Sequence, residues 1–305
     1  MSSALVVSLD FELGWGVLDS DDWRERERNG LYRNMRPVLS KLFDHLSAWQ
    51  CPTTWAAVAS MFEANQEALA LDHLPNGYRD AVNSFVRKAE AATRDARDLM
   101  DRWPELASFS EVCSHTSTHL YPAFPGVTGA GYAADVRQSC EQLEAYFGSK
   151  VESLVFTRDD CKFLPEVMQS GPLHARVGPR SYGSRGSGKL ARIGRGAARF
   201  FEAVPPSEFE RLPQGGSTQS GSFYFNWSGG DFEAVKRAQV QIQAKRALRQ
   251  LASSDQVIHV WLHPFNLAES PRHLTSFLSF LGKAVELRDA GKTDILTMRG
   301  LAARE

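Results

Sequence analysis

Three short clusters hold the side chains of this chain that bind metal ions or carry protons: Asp10-Phe11-Glu12, His115-Thr116-Ser117-Thr118-His119 and Leu262-His263-Pro264. Two histidines four residues apart can turn their rings to one side of a helical turn and share an ion. Neutral imidazole is the commonest metal ligand and suits Zn²⁺ and its first-row neighbours. The spacing alone also fits a solvated or capping pair, since the chain has eight histidines. A carboxylate beside two imidazoles leaves coordination positions open for water and substrate, as catalytic zinc sites do. If the chain curls after Asp10, one acid of that cluster binds the ion and the other stays free to take a proton. The bland alternative places both acids in solvent. No glutamate follows His115, which excludes the His-Glu-x-x-His helix of zinc proteases.

Each cluster ends an apolar, strand-like run. Residues 4–9 are Val-rich and fit a buried parallel strand. Residues 53–58, 109–113, 153–156, 257–262 and 294–297 are further strand candidates. Between them, Met35, Val38, Leu39, Leu42, Leu46 and Trp49 trace one helical face, with Pro37 in its first turn. Val136, Cys140, Leu143 and Phe147 trace another, closed by Gly148. Residues 231–252 and the face of Leu274, Phe277, Leu278, Leu281 and Val285 complete the helices. Residues 61–103 read as a helical insertion and residues 171–221 as an irregular, basic loop region. The alternation predicts an α/β fold with a parallel sheet, in one domain spanning 1–305. In such folds, catalytic groups collect at the C-terminal ends of strands, where each cluster falls.

Composition narrows the functions. The chain has 305 residues, 43% of them hydrophobic, enough for a large core. A net charge of −1 gives no general attraction to nucleic acid or membranes, and no apolar run is long enough to span a bilayer. The first residues read as a strand and not as a signal peptide, and Cys51, Cys113, Cys140 and Cys161 have no metal-binding spacing. Reduced thiols in a cytoplasmic protein are the expectation, with Cys113 and Cys161 near the clusters.

The three clusters together resemble the polysaccharide deacetylases of carbohydrate esterase family four, the NodB-homology group. Ser8-Leu9-Asp10-Phe11-Glu12 is similar to a divergent Asp-x-Asp/Glu form of that family's first motif. His115 to His119 matches its His-Ser/Thr-x-x-His motif, and Leu262-His263-Pro264 its late Leu-His-Pro motif. Phe156-Thr157-Arg158-Asp159-Asp160 meets the third motif in part, with Thr157 where a proline is common. The resemblance runs from Asp10 to His263 and leaves residues 61–103 and 171–221 uncovered, as shapers of a cleft. It implies a distorted (β/α) barrel and a metal-dependent hydrolase that removes acetyl groups from an N-acetylated, less often O-acetylated, sugar. It implies Asp10 as base, Arg158 as the group that orients it, and His263 as acid. Glu12, His115 and His119 become ligands of one divalent ion, Zn or otherwise Co, Ni, Mn or Fe.

Further residues carry weaker expectations. Trp15, Tyr224 and Trp227 have rings that suit sugar faces, although core packing is the commoner role of a Trp. Asn266 reads as a substrate contact or a helix cap, and His259 as a packed histidine. Arg176, Arg180, Arg185, Lys189, Arg192, Arg195 and Arg199 suit a phosphate or carboxylate, hence an anionic or carrier-linked substrate, or a solvated loop. Two other functions fit the same residues: an amidohydrolase of a small linear or cyclic amide, and a non-catalytic carbohydrate-binding relative.

Overall fold

The protein is described by a computed structural model covering residues 2–20, 22–169, 171–178, 202–213, 215–228 and 232–305. Among these, ten strands form one curled sheet. They are β1 (Ala4–Phe11), β2 (Thr54–Ala57), β3 (Glu111–Ser114), β4 (Ser153–Val155), β5 (His174–Val177), β6 (Phe209–Arg211), β7 (Ser217–Ser220), β8 (Phe223–Tyr224), β9 (Val257–Leu262) and β10 (Asp294–Leu296). The order is β6-β7-β5-β4-β3-β2-β1-β9-β8, with β10 also paired to the start of β1. Every pair is parallel except β6 with β7. The two ends of that order are joined by the chain itself. Only Gly221 and Ser222 separate β7, paired to β5, from β8, paired to β9, so residues 217–224 draw the sheet round into a distorted barrel. A Cβ on Gly221 would come 2.8 Å from the Trp261 ring, so this crossing needs glycine.

The two-residue period of the strands sorts the core into two. Leu5, Val7, Leu9 and Phe11 of β1 face outward into the main core, which they share with Leu39 and Leu42 of helix Leu31–Trp49 and Phe277 and Leu281 of helix Pro271–Asp289. Val6 faces the lumen with Ala56, Cys113 and Val155, over Met298 and Leu301 of the closing helix Met298–Arg304. Above that apolar plug, Ser8 and Asp10 lie on the same face of β1. A parallel barrel thus carries an apolar base and a polar mouth at the C-terminal ends of its strands.

Two local expectations need correction. Helix Leu31–Trp49 starts earlier than its apolar face suggested, from left-handed Gly30, so Pro37 lies inside the helix and not in its first turn. Residues 171–221, expected to be irregular, contain β5, β6 and β7. Arg176 belongs to β5, while the other basic residues of that stretch, Arg180 to Arg199, lie outside the described residues. Between β2 and β3 the chain forms helix Asn76–Lys88 and several single turns. No helix among the described residues is long and apolar enough to cross a membrane.

Candidate active site

Asp10, Glu12, His115, His119 and His263 line one cleft of about 340 Å³ at the barrel mouth. Asp10 and Glu12, two apart, extend the lumen face of β1, and both are buried. His115 follows β3 directly. The segment from His115 to His119 is a loop and not the helical turn its spacing allowed: Thr116 (φ 68°) and His119 (φ 61°) are both left-handed. That loop, not helical periodicity, brings the two imidazoles to 5.1 Å between ring centres.

Glu12 Oε2 lies 3.0 Å from His119 Nε2 and 3.5 Å from His115 Nε2, and all three side chains are buried. His115 places Nδ1 2.8 Å from the Val155 carbonyl oxygen, which accepts its proton and leaves Nε2 free. Bonds of about 2.0–2.2 Å to a tetrahedral ion put ligand atoms roughly 3.3–3.5 Å apart. The donor set and its separations therefore fit one divalent ion. Burial raises the Glu12 carboxyl, but the His263 and His119 charges and hydrogen bonds from the two ring nitrogens hold it well below its ordinary value. Burial holds His119 below its ordinary value, favouring the neutral ring that a ligand requires. Gly16 makes room for this arrangement, because a Cβ there would overlap the Glu12 carboxylate. Its place in Leu13-Gly-Trp-Gly16 reads only as a loop in the sequence.

The guanidinium beside Asp10 is that of Arg176, not Arg158. Its Nη1 and Nη2 donate to the two Asp10 oxygens at 2.7 Å each, and Nη1 also donates to Ser8 Oγ at 2.8 Å. Burial alone pushes Asp10 up; the Arg176 charge and its hydrogen bonds outweigh this and leave the carboxyl below its ordinary value. Ser8 Oγ in turn lies 2.8 Å from His259 Nε2, and burial pushes this imidazole down to about 3. Arg158 sits at the exposed rim, where it donates to Asp19 at 2.7 Å and stacks 3.6 Å over Tyr121. The resemblance made Arg158 the group that orients Asp10; β5 delivers that partner, Arg176, from the far side of the lumen.

On the opposite side, His263 points Nε2 to within 3.4 Å of Glu12 Oε1. Its Nδ1 lies 2.7 Å from the Tyr224 hydroxyl, which donates to Asn266 Oδ1 at 2.8 Å and accepts from Asn226 Nδ2 at 3.2 Å. With its own proton on Asn266, Tyr224 can only accept from His263, so Nδ1 carries the hydrogen and Nε2 faces the cleft. Asn266 is the third residue of helix Pro264–Glu269, so it holds Tyr224 and caps nothing.

Two aromatic expectations fail. Trp15 is fully buried, donates from Nε1 to the Arg94 carbonyl at 2.9 Å and packs edge-on against Phe85. Trp227 is buried and stacked on His273 with ring centres 3.7 Å apart. Neither ring offers a face to a sugar. Among the described residues, the aromatic rings that do line the cleft belong to Phe156, Tyr224, Trp261 and Phe265. Cys113 lies in the lumen, where burial raises its thiol well above the ordinary value, and Cys161 is exposed.

The curled parallel sheet with its polar mouth is the polysaccharide deacetylase fold of the NodB type. No protein-family model matches the chain, and no curated protein matches it. Solved structures do. A provisionally assigned polysaccharide deacetylase of Mycobacterium smegmatis superposes with a TM-score of 0.61 at 12% identity, covering 99% of this chain and 90% of that one. A protein similarly assigned from Pseudomonas aeruginosa PAO1 gives 0.59 at 12% identity over 99% and 90%. A PuuE allantoinase gives 0.56 at 15% identity over 99% and 89%. At these identities the likeness is one of fold, and the chemistry rests on the residues.

Proposed function

We propose that this protein is a metal-dependent hydrolase that removes an acetyl group from an N-acetylated sugar. The observation that carries this reading is one cleft in which a guanidinium-paired carboxylate, a Glu-His-His set and an imidazole with a directed Nε2 converge. Glu12, His115 and His119 hold the ion. A bound divalent ion supplies an acidified water and a polarised acyl carbonyl. Asp10, kept ionised by Arg176, takes the proton of the attacking water. An amine leaves poorly unless protonated; His263, carrying a proton on Nε2 as well as on Nδ1, gives the Nε2 proton to it from a place 3.4 Å from Glu12 Oε1. Trp261 and Phe265 offer apolar walls to a sugar ring, and Asn226 and Ser228 offer polar groups to its hydroxyls.

The compactness of the cleft favours a second reading at the same site, hydrolysis of a small linear or cyclic amide. The shared fold of an allantoinase is compatible with it. Turnover of N-acetylated sugars against small amides by the zinc-loaded protein separates the two. The first measurement is metal content. Wild type is expected to hold about one divalent ion, His115→Ala none, and Asp10→Asn as much as wild type with kcat lower by about 10²–10⁴-fold. Failure of wild type to bind Zn²⁺ or another first-row ion would sink both hydrolase readings.

A further inference from the structure

The insertion between β2 and β3 contributes none of the residues lining the cleft, yet it touches both segments that carry the metal ligands. On the Glu12 side, Gly14 N donates to the Thr93 carbonyl and Trp15 Nε1 to the Arg94 carbonyl, each at 2.9 Å. These bonds hold the turn whose Gly16 seats the Glu12 carboxylate. On the histidine side, the buried Tyr78 hydroxyl donates to the His119 carbonyl at 2.7 Å, with the Thr118 carbonyl at 3.1 Å. His73 Nε2 lies 2.8 Å from Asp135 Oδ1. Asp135, buried on helix Gly129–Phe147, uses Oδ2 to accept from the Ser117 and Thr118 backbone N–H groups at 3.1 and 3.3 Å.

A left-handed non-glycine residue costs of order 1–3 kcal/mol and persists only where its surroundings over-determine it. His119 is such a residue, and Tyr78 grips its own carbonyl. Without that grip the 115–119 loop can relax, and His119 Nε2 leaves its 3.0 Å approach to Glu12. We infer that the insertion is the brace of the metal site: Tyr78 is a positioning residue for His119, and His73 supports the same loop through Asp135. The inference rests on reading Glu12, His115 and His119 as ligands. It gives the insertion a task that cleft shaping does not describe, since a single hydroxyl inside it should control ion affinity.

The test is Zn²⁺ affinity by chelator competition, read beside the melting temperature of the metal-free protein, for wild type, Tyr78→Phe, His73→Ala and Val82→Ala. Val82 is buried on the same helix as Tyr78 and has no part in the hydrogen bonds to the loop. Tyr78→Phe is expected to raise the Zn²⁺ dissociation constant by about 10–100-fold, and His73→Ala by a smaller factor. Val82→Ala should lower the metal-free melting temperature and leave the dissociation constant unchanged. His73 is half-buried, so its variant serves even if Tyr78→Phe does not fold. Wild-type affinity in both Tyr78→Phe and His73→Ala, or equal weakening in Val82→Ala, overturns the inference while the metal site stands. Absence of Zn²⁺ binding in wild type overturns the metal reading itself, and this inference with it.

Discussion

The two groups proposed to carry protons in the cleft, Asp10 and His263, are held by opposite means. Asp10 is gripped by a buried cation, with both carboxylate oxygens 2.7 Å from Arg176. His263 is gripped by neutral partners, the Tyr224 hydroxyl and, behind it, Asn266 and Asn226. A charge beside a carboxylate stabilises its ionised form, which suits a base that must be free of its proton before the reaction. A neutral hydroxyl fixes which ring nitrogen carries hydrogen and adds no charge of its own. The pairing of a charged clamp with an uncharged one lets two groups in one small cleft do opposite work.

The largest effect should follow from breaking the charged clamp. Arg176→Gln leaves a buried carboxylate without its cation, a change that costs about 3–5 kcal/mol in such pairs. Burial then acts on Asp10 with only the His115 and His263 charges against it, so its carboxyl rises. Its ionised form is lost as pH falls through this raised value, so the acid limb of kcat/KM should move up by more than about one pH unit. The stability deficit should be greatest at neutral pH and shrink on acidification, since protonation relieves the buried charge. Chemical denaturation and activity measured across pH check both; an unmoved acid limb would detach Arg176 from the base.

Removing the proposed acid should come next. His263→Gln is expected to lower kcat by about 10²-fold on an amide and far less on an ester whose leaving group needs no proton. A rate loss equal for both substrates would mean that His263 serves the ion and not the leaving group. The smallest effect should come from the neutral clamp. Tyr224→Phe keeps the ring against Trp261 and removes the acceptor of the Nδ1 proton, so kcat should fall by about tenfold or less with little change in KM. This is the cost of one neutral hydrogen bond, about 1 kcal/mol. An effect as large as that of Arg176→Gln would erase the contrast between the two sides.

Part of this site is legible in the sequence. The donor types at Glu12, His115 and His119 and their placement at strand ends point to a single ion, and the three come together with ligand atoms within 4.8 Å. What misleads lies beyond local periodicity. A four-residue spacing suggests a helix, but the 115–119 loop takes left-handed conformations that spacing does not encode. The partly met third motif implies Arg158 as the partner of Asp10, yet Arg158 is spent on Asp19 and Tyr121 at the rim. Trp15 follows Glu12 so closely that, of the tryptophans weighed, it is the best placed for the cleft, even though core packing is the commoner role. Its neighbours in space, Phe85 and the Arg94 carbonyl, lie in an insertion some seventy residues on.

The amino-acid sequence by itself determined which side chains stand at strand ends and which share a face, because a strand's two-residue period follows from local backbone geometry. It determined the chemistry available there, since ligand and proton-carrying groups are properties of residue type. The tertiary structure alone decided the pairings. Arg176 meets Asp10 across 166 positions because the barrel closes and brings β5 opposite β1. Tyr224 meets His263 because β8 pairs in register with β9, and Tyr78 reaches His119 because an insertion folds back on a loop. Sheet closure and register are set by the whole chain at once, so no local pattern could have named these partners.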